Sequence, residues 1–149
     1  MADSNIPATV SHYQVGRRLG GGGMGVVYAG TDRRDGMPVA IKFLYPHLIQ
    51  LDPTFKERFE REAHIASLLR SPYSVKLVDY GIEGDTPFLV MEFAAGESLA
   101  EIISRGPLDT VRAMRIARDA ARALEEAEAR GVTHRDISRR TSSLAPTTQ

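Results

Sequence analysis

The sequence predicts an α+β fold, in which an antiparallel sheet carrying one packed helix is followed by a mainly helical segment. Three observations predict this class. Up to about residue 93, short runs rich in β-branched and aromatic residues alternate with glycine-containing turns, which is typical of strands. Residues 55–69 interrupt these runs with apolar positions at helical spacing. From residue 98 onward the apolar positions, mostly alanine, recur at helical spacing.

The composition bounds the class of protein. A chain of 149 residues with 42% hydrophobic and 26% charged content can form one ordinary globular domain. Nineteen basic and nineteen acidic residues cancel, so the charge favours neither nucleic acid nor a membrane surface as a partner. The absence of cysteine excludes disulfides and thiolate metal sites. Because we find neither a signal peptide nor a membrane-spanning run, we expect a cytoplasmic protein. The oligomeric state stays open.

The first pair of strands is predicted around a glycine-rich turn. Tyr13–Leu19 alternates as a strand, Val26–Ala29 returns, and Gly20, Gly22 and Gly25 satisfy G-x-G-x-x-G. A flexible hairpin tip would share this pattern. A dinucleotide-binding loop would open a helix, whereas here a strand follows, which favours a strand–loop–strand arrangement over phosphates. Positions without side chains let backbone amides approach the phosphates and permit positive φ angles.

The next two elements are a strand and a helix. Met37–Leu44 is predicted as a strand, and it contains V-A-I-K at residues 39–42. The helix over Phe55–Leu69 begins after Asp52-Pro53 and ends before Ser71-Pro72. Its apolar positions are Phe55, Phe59, Ala63, Ala66 and Leu68 or Leu69.

A hairpin and two helices complete the predicted elements. Val75–Gly81 and Thr86–Phe93 form the hairpin, which turns through residues 83–85. A short helix over Ser98–Ser104 precedes a long one over Asp109–Arg130, with Asp109 as its N-cap and Gly131 ending it. One face of the long helix carries Val111, Met114, Ala117, Ala121, Leu124 and Ala127 or Glu128.

Five motifs in order resemble those of bacterial-type serine/threonine protein kinases. They are L-G-G-G-G-M-G-V-V-Y at 19–28, V-A-I-K at 39–42, R-E-A at 61–63, L-V-M-E-F-A-A-G at 89–96 and H-R-D at 134–136. The resemblance covers residues 13–137, the N-terminal half of such a domain. It implies a kinase N-lobe over 12–93, the hinge and start of an incomplete C-lobe over 94–137, and an aberrant tail over 138–149. Because chain ends are commonly mobile, we expect residues 1–11 to be a flexible lead-in.

The resemblance implies three catalytic residues. Lys42 would contact the α- and β-phosphates of ATP, and Asp136 would accept or orient the proton of the substrate hydroxyl. A glutamate of the helix would hold Lys42. Among Glu57, Glu60 and Glu62 we choose Glu62, because it stands in R-E-A and beside the apolar stripe. Apart from the resemblance, Lys42 could be a solvated lysine of a half-exposed strand, and Glu62 a surface residue.

The resemblance also implies an adenine pocket. Val27 would cover the ring, Ala40 would line it, and Met91 would stand at its back, although methionine in other proteins mostly fills gaps in the core. Glu92 and Ala94 would offer backbone groups to the adenine edge. The implied nucleotide contacts are Leu19, Gly20, Gly22, Gly25, Val27, Ala40, Lys42, Met91, Glu92 and Ala94.

The family pattern fails after Ile137. H-R-D-x-x-x-x-N requires an asparagine where Thr141 stands, and Asp-Phe-Gly is missing from the 149 residues. Mg²⁺ is expected for the family, but the residues that would bind it are missing from this sequence. At family level the sequence predicts phosphoryl transfer from ATP to serine or threonine of a protein substrate, with this chain inactive as written. The alternative is a non-catalytic nucleotide-binding remnant or an unstable pseudokinase fragment.

One lost base would explain the residues after Asp136. The family's I-K-P-S-N-I-L-L can be encoded as ATC AAG CCG TCG AAC ATC CTC CTT. Deleting one A from AAG gives codons that translate as Ile-Ser-Arg-Arg-Thr-Ser-Ser-Leu, which are residues 137–144. We therefore interpret residues 138–149 as frameshifted. A chance resemblance among short tails rich in arginine, serine and threonine is the alternative.

Overall fold

A computed structural model describes residues 6–131 of the chain. The described residues divide into two compact units. The first contains the chain up to Ser67 together with Lys76–Phe93, and the second contains Leu68–Val75 and the chain from Ala94 onward. The H-R-D motif and the residues that follow it lie outside the described part.

The first unit is built on one antiparallel sheet of six strands. The strands are β1 Thr9–Val10, β2 Tyr13–Gly22, β3 Gly25–Asp32, β4 Pro38–Leu44, β5 Leu77–Glu83 and β6 Thr86–Glu92. They lie in the order β1-β2-β3-β4-β6-β5. The hairpins β2–β3, β3–β4 and β5–β6 use turns that the sequence predicts, since Gly36 and Gly84 adopt positive φ angles of 76° and 62° in two of them.

Alternate residues of the strands bury one face of the sheet. That face forms the main core, because side chains of successive residues point to opposite faces of a strand. Its buried residues are Val10, Tyr13, Val26, Tyr28, Val39, Ile41, Phe43, Phe88 and Val90, each no more than 7% exposed. Tyr28 and Phe43 meet edge to face with ring centroids 6.0 Å apart.

Two helices pack on the opposite face. They are α1 His47–Leu51 and α2 Phe55–Ser67. Phe55 and Phe59 of α2 stack with centroids 6.0 Å apart and form a second core with Leu44, against which Leu89 of β6 also packs. Asp52 supports the start of α2, because its side chain accepts hydrogen bonds from the amide and hydroxyl of Thr54, at 2.9 and 2.7 Å.

Two side-chain hydrogen bonds join the beginning of the sheet to its last strand. The hydroxyl of Tyr13, on β2, donates to Asp79 Oδ2 on β5 at 3.0 Å, and the Ser11 amide donates to Glu83 Oε2 at 3.2 Å. These residues stand near opposite ends of the strand order. The sheet is therefore curled, with its core face enclosed, and Tyr13 is only 1% exposed.

The second unit contains helices α3 Leu99–Ser104 and α4 Thr110–Ala129. Asp109 is the N-cap of α4 and accepts a hydrogen bond from the Arg112 amide at 3.0 Å, while Gly131 ends the helix with a φ of 74°. Segment Leu68–Val75 contacts α4 through Tyr73, whose hydroxyl accepts a hydrogen bond from Arg122 Nη1 at 2.8 Å.

The predicted α+β architecture and its elements are confirmed, with two additions. The lead-in over 1–11 contains β1, whose Val10 is 1% exposed and pairs with Tyr13. Helix α1 was not predicted. The apolar face predicted on α4 is exposed near the start of the helix, with Met114 at 67% and Val111 at 59%, but is buried at Ala127, which is 7% exposed.

Candidate functional site

The strand register gathers four predicted nucleotide contacts on one face of the sheet. Val27 lies directly opposite Lys42, and Ala40 lies directly opposite Met91. All four are half-buried, whereas adjacent residues of the same strands belong to the main core, namely Val26, Tyr28, Val39, Ile41, Phe43 and Val90. Directly paired residues have Cβ atoms about 4.5–5.5 Å apart, so the four side chains form one contiguous surface. We call this surface the Lys42 face.

Leu89 belongs to the Lys42 face and was missed by the sequence reasoning. It lies directly opposite Lys42 on β6 and packs against the core formed by Leu44, Phe55 and Phe59. Alternation along β6 was the available signal, since Leu89 and Met91 are two residues apart and must share a face. Leu89 therefore links the Lys42 face to helix α2.

Residues 20–25 form the glycine loop, and its glycines differ in the space around them. A β-carbon on Gly20, Gly22 or Gly23 would have no heavy atom within 4 Å, so a ligand could reach the backbone there. A β-carbon on Gly25 would lie 2.1 Å from the Phe43 carbonyl oxygen, which excludes any side chain. The sheet therefore requires Gly25 whether or not a nucleotide binds.

Backbone pairing holds the loop against β4 up to its tip. Gly25 pairs with Leu44, and the Tyr45 amide donates to the Met24 carbonyl oxygen at 3.2 Å. None of residues 20–25 has a positive φ angle, although glycine permits one. Their open surroundings at Gly20 and Gly22, rather than unusual dihedral angles, are what the loop offers to a ligand.

Lys42 and α2 share a face, but the structure does not join Lys42 to Glu62. Among residues 6–131, no hydrogen bond or ion pair involves the Lys42 ammonium group. Glu62 is exposed and has an interaction of its own elsewhere. The two residues stay candidates for an ion pair that the structure does not contain.

The predicted hinge residues fall in different units. The Glu92 amide donates to the Lys76 carbonyl oxygen at 3.0 Å, and the Glu92 carboxylate accepts a hydrogen bond from the Lys76 amide at 3.0 Å. A contact from Glu92 to adenine would therefore have to come from its carbonyl oxygen. Ala94 lies in the second unit. Leu19, predicted at the start of the loop, is 39% exposed on β2.

The strongest pKa displacements lie away from the Lys42 face. A hydrogen bond from the Arg34 side chain lowers the pKa of Asp32 to about 2, with Arg34 Nη2 2.7 Å from Asp32 Oδ2. Burial, followed by the hydrogen bond to Asp79, raises the pKa of Tyr13. Both groups take part in hydrogen bonds within the first unit that stabilise the fold, and neither belongs to the Lys42 face.

The catalytic loop cannot be placed from the described residues. Asp136, and Thr141 at the position where the family has asparagine, lie outside residues 6–131. Within that range, no group of three histidine, aspartate or glutamate side chains could hold a metal ion. None of the described helices is both long and apolar enough to cross a membrane.

Sequence comparisons identify similar proteins over nearly the whole chain. The profile described as "Protein kinase domain" matches residues 13–140. Serine/threonine-protein kinase pkn2 of Myxococcus xanthus is 41% identical over 125 residues, which are 84% of this chain and 15% of that protein. Serine/threonine-protein kinase A of Synechocystis sp. is 41% identical over 139 residues, covering 85% of this chain and 26% of that protein.

Structural comparison gives the same picture. The crystal structure of the Mycobacterium tuberculosis PknI kinase domain superposes with a TM-score of 0.79 at 28% identity. The match covers 95% of this chain and 59% of that domain. The chain thus spans the N-terminal part of such a domain and a small share of the curated relatives.

Proposed function

The chain belongs to the protein kinase family, and from that membership we propose that its first unit binds ATP on the Lys42 face. The observation that carries the proposal is the register that sets Val27 opposite Lys42 and Ala40 opposite Met91. One surface therefore combines apolar contacts for a purine with a cation for phosphates. Since ATP is the proposed substrate, we place the domain in the cytoplasm.

The adenine ring would lie on the apolar part of this face. Val27, Ala40 and Met91 are half-buried and offer no polar side-chain group, as suits the flat surface of a purine. The Glu92 carbonyl oxygen would accept a hydrogen bond from the adenine amino group, because its amide is already bonded to Lys76.

The phosphates would lie between Lys42 and the glycine loop. Gly20 and Gly22 have no atom within 4 Å of a β-carbon position, so phosphate oxygens could approach their backbone. Lys42 would offset the charge of the α- and β-phosphates as a point charge. Glu62 would pair with Lys42 in the ATP-bound state, after a rearrangement from the exposed position that the structure shows.

For the family reaction, Asp136 would orient the hydroxyl of a protein serine or threonine toward the γ-phosphate. Mg²⁺, when bound, supplies neutralisation of phosphate charge in such domains. Because Thr141 stands at the position of the family's metal-binding asparagine, we expect this polypeptide to bind ATP without transferring phosphate.

Binding of ATP and of adenosine tests the proposed site. Lys42→Met should lower the affinity for ATP at least about tenfold and leave the affinity for adenosine nearly unchanged, because only ATP carries phosphates. Lys56→Met is the matched control, since Lys56 on α2 forms an exposed ion pair with Asp85 at 3.7 Å. Isothermal titration of the 149-residue chain measures both. Equal loss of ATP affinity in the two variants would contradict the proposal.

Phosphoryl transfer separates the family activity from a non-catalytic nucleotide-binding remnant. Labelled ATP with Mg²⁺ and a generic protein substrate should give no transfer above background for the 149-residue chain. Transfer that disappears in Asp136→Asn would show instead that Thr141 suffices in place of asparagine. Absence of both transfer and ATP binding would favour an unstable fragment.

A further inference from the structure

The two strands of the glycine loop are held in different ways. The returning strand β3 is paired with β4 up to Gly25, and the adjacent tip is bonded at Met24 to the Tyr45 amide. Strand β2 lies on the other side and is exposed from Gly16 to Gly22. Its register with β3 is irregular between Val15 and Arg18 and again between Arg18 and Gly20. Any freedom of the loop should therefore reside in β2.

Arg18 stands between these two irregularities and reaches along the strand. It lies opposite Tyr28, which is 7% exposed and belongs to the main core. Its Nη2 lies 2.9 Å from the point that a β-carbon on Gly21 would occupy, and Val26 Cγ1 lies 3.7 Å from the same point. Gly21 and Arg18 are therefore on the face of Val26 and Tyr28, away from the Lys42 face.

Gly21 occupies a variable position of G-x-G-x-x-G, so the motif does not explain why it is glycine. Gly20, Gly22 and Gly23 have open space where a side chain would stand, but Gly21 does not. The guanidinium of Arg18 fills that space. A glycine here allows a long, planar side chain from three residues earlier to lie over the backbone.

We propose that Arg18 is a positioning residue that holds strand β2 of the glycine loop flat against β3, from the face opposite the nucleotide. Its contact with Gly21 spans the second irregularity, where backbone pairing is interrupted. A loop ordered before binding loses less conformational freedom when phosphates arrive, which favours ATP over a ligand without phosphates. This inference rests on the proposed ATP site.

The test compares Arg18→Ala with Arg17→Ala, a matched control that removes the same charge from the neighbouring exposed position. In the nucleotide-free, ¹⁵N-labelled chain, heteronuclear NOE values of Gly20–Gly22 report motion on the picosecond-to-nanosecond scale. We expect them to fall in Arg18→Ala and to stay near wild type in Arg17→Ala. Equal values in both variants would overturn the positioning role.

Affinity then tests the consequence. Arg18→Ala should raise the Kd of ATP about three- to tenfold without changing that of adenosine, while Arg17→Ala changes the ATP value less. Arg18→Lys keeps the charge but lacks the planar group, so its effect should approach that of Arg18→Ala. The inference would be overturned if Arg18→Lys had the wild-type Kd for ATP and the two alanine variants raised that Kd equally. Such a result would mean that only the positive charge of Arg18 matters. If the wild type binds no ATP, the proposed function fails, and the NOE values still decide the role of Arg18.

Discussion

The glycines of the loop show how one residue type serves different purposes within six positions. Gly25 is required by the Phe43 carbonyl oxygen, Gly21 leaves room for Arg18, and Gly20 and Gly22 leave the backbone open. The sequence predicts the cluster and its family role. It cannot separate these purposes, because each depends on an atom contributed by another strand or by a long side chain.

Gly25→Ala should destabilise the first unit, since the new β-carbon would meet a backbone atom 2.1 Å away. We expect a loss of about 1–3 kcal/mol, as for overpacking in a core. Gly22→Ala, with no atom within 4 Å, should stay within about 0.5 kcal/mol of wild type. Urea unfolding followed by tyrosine fluorescence measures both. A Gly25→Ala protein as stable as Gly22→Ala would mean that β3 and β4 lie farther apart in solution.

The Asp32 carboxylate should make the fold less stable at acid pH. Its pKa is about 2 in the fold, held down mainly by the Arg34 side chain, against about 4 in an unfolded chain. The stabilisation is therefore complete above pH 4 and is lost as the pH falls from about 4 to 2. Asp32→Asn should lower the Tm at pH 7, and the difference from wild type should vanish near pH 2.

A double-mutant cycle with Arg34→Met tests whether this pH dependence comes from the ion pair between Asp32 and Arg34. Without the Arg34 side chain, the further substitution Asp32→Asn should change the Tm little at any pH, because the asparagine Oδ1 can still accept the hydrogen bond that the backbone amide of residue 34 donates to Asp32 Oδ1 at 2.9 Å. A Tm difference between wild type and Asp32→Asn that stays constant from pH 7 to pH 2 would show that Asp32 is not the titrating group.

At the scale of elements, helix α4 depends on its N-cap. Asp109 accepts a hydrogen bond from the Arg112 amide at 3.0 Å, and no acidic residue stands in the first turn to assist it. Asp109→Ala should cost about 1 kcal/mol of helix stability, while Asp109→Asn keeps an acceptor and most of the stability. Thermal melts followed by far-ultraviolet circular dichroism measure the difference. Equal losses in both variants would argue against the capping role.

Periodicity predicted the long elements well but missed the two short ones. Helix α1 has five residues, and its N-cap position, Pro46, makes no side-chain hydrogen bond. Its stability comes from Leu48 and Ile49 packing on the second core, which local sequence does not reveal. Strand β1 has two residues and exists because Val10 pairs with Tyr13.

The sequence could predict which residues form the candidate site and which of them share a face of a strand. It could not predict which residues lie opposite one another on neighbouring strands. Alternation places Ala40 and Lys42 on one face of β4, and Leu89 and Met91 on one face of β6. Which residue of β6 lies opposite Lys42 depends on strand register, set here by pairing with a strand some fifty residues later. The contact between Tyr13 and Asp79, 66 residues apart, was equally beyond local patterns.

At the scale of the whole molecule, the gene itself can be tested. We propose that one base is missing from the codons of residues 137–139, and resequencing should show it. Asp-Phe-Gly should then follow downstream in the restored frame, with asparagine in place of Thr141. Reads that encode residues 137–144 as printed, with no Asp-Phe-Gly downstream in another frame, would remove the frameshift explanation. They would make Thr141 a true feature of this chain.

The hydrogen bonds that curl the sheet also bear on aggregation. A free sheet edge can pair with another chain, and proteins counter this with short edge strands, bulges and edge charges. Strand β1 has only two residues, while edge strand β5 has a register irregularity between Leu77 and Asp79. The carboxylates of Asp79 and Glu83 also lie on β5, held by Tyr13 and Ser11. The same contacts that enclose the core therefore protect the first unit against edge-to-edge assembly into fibres.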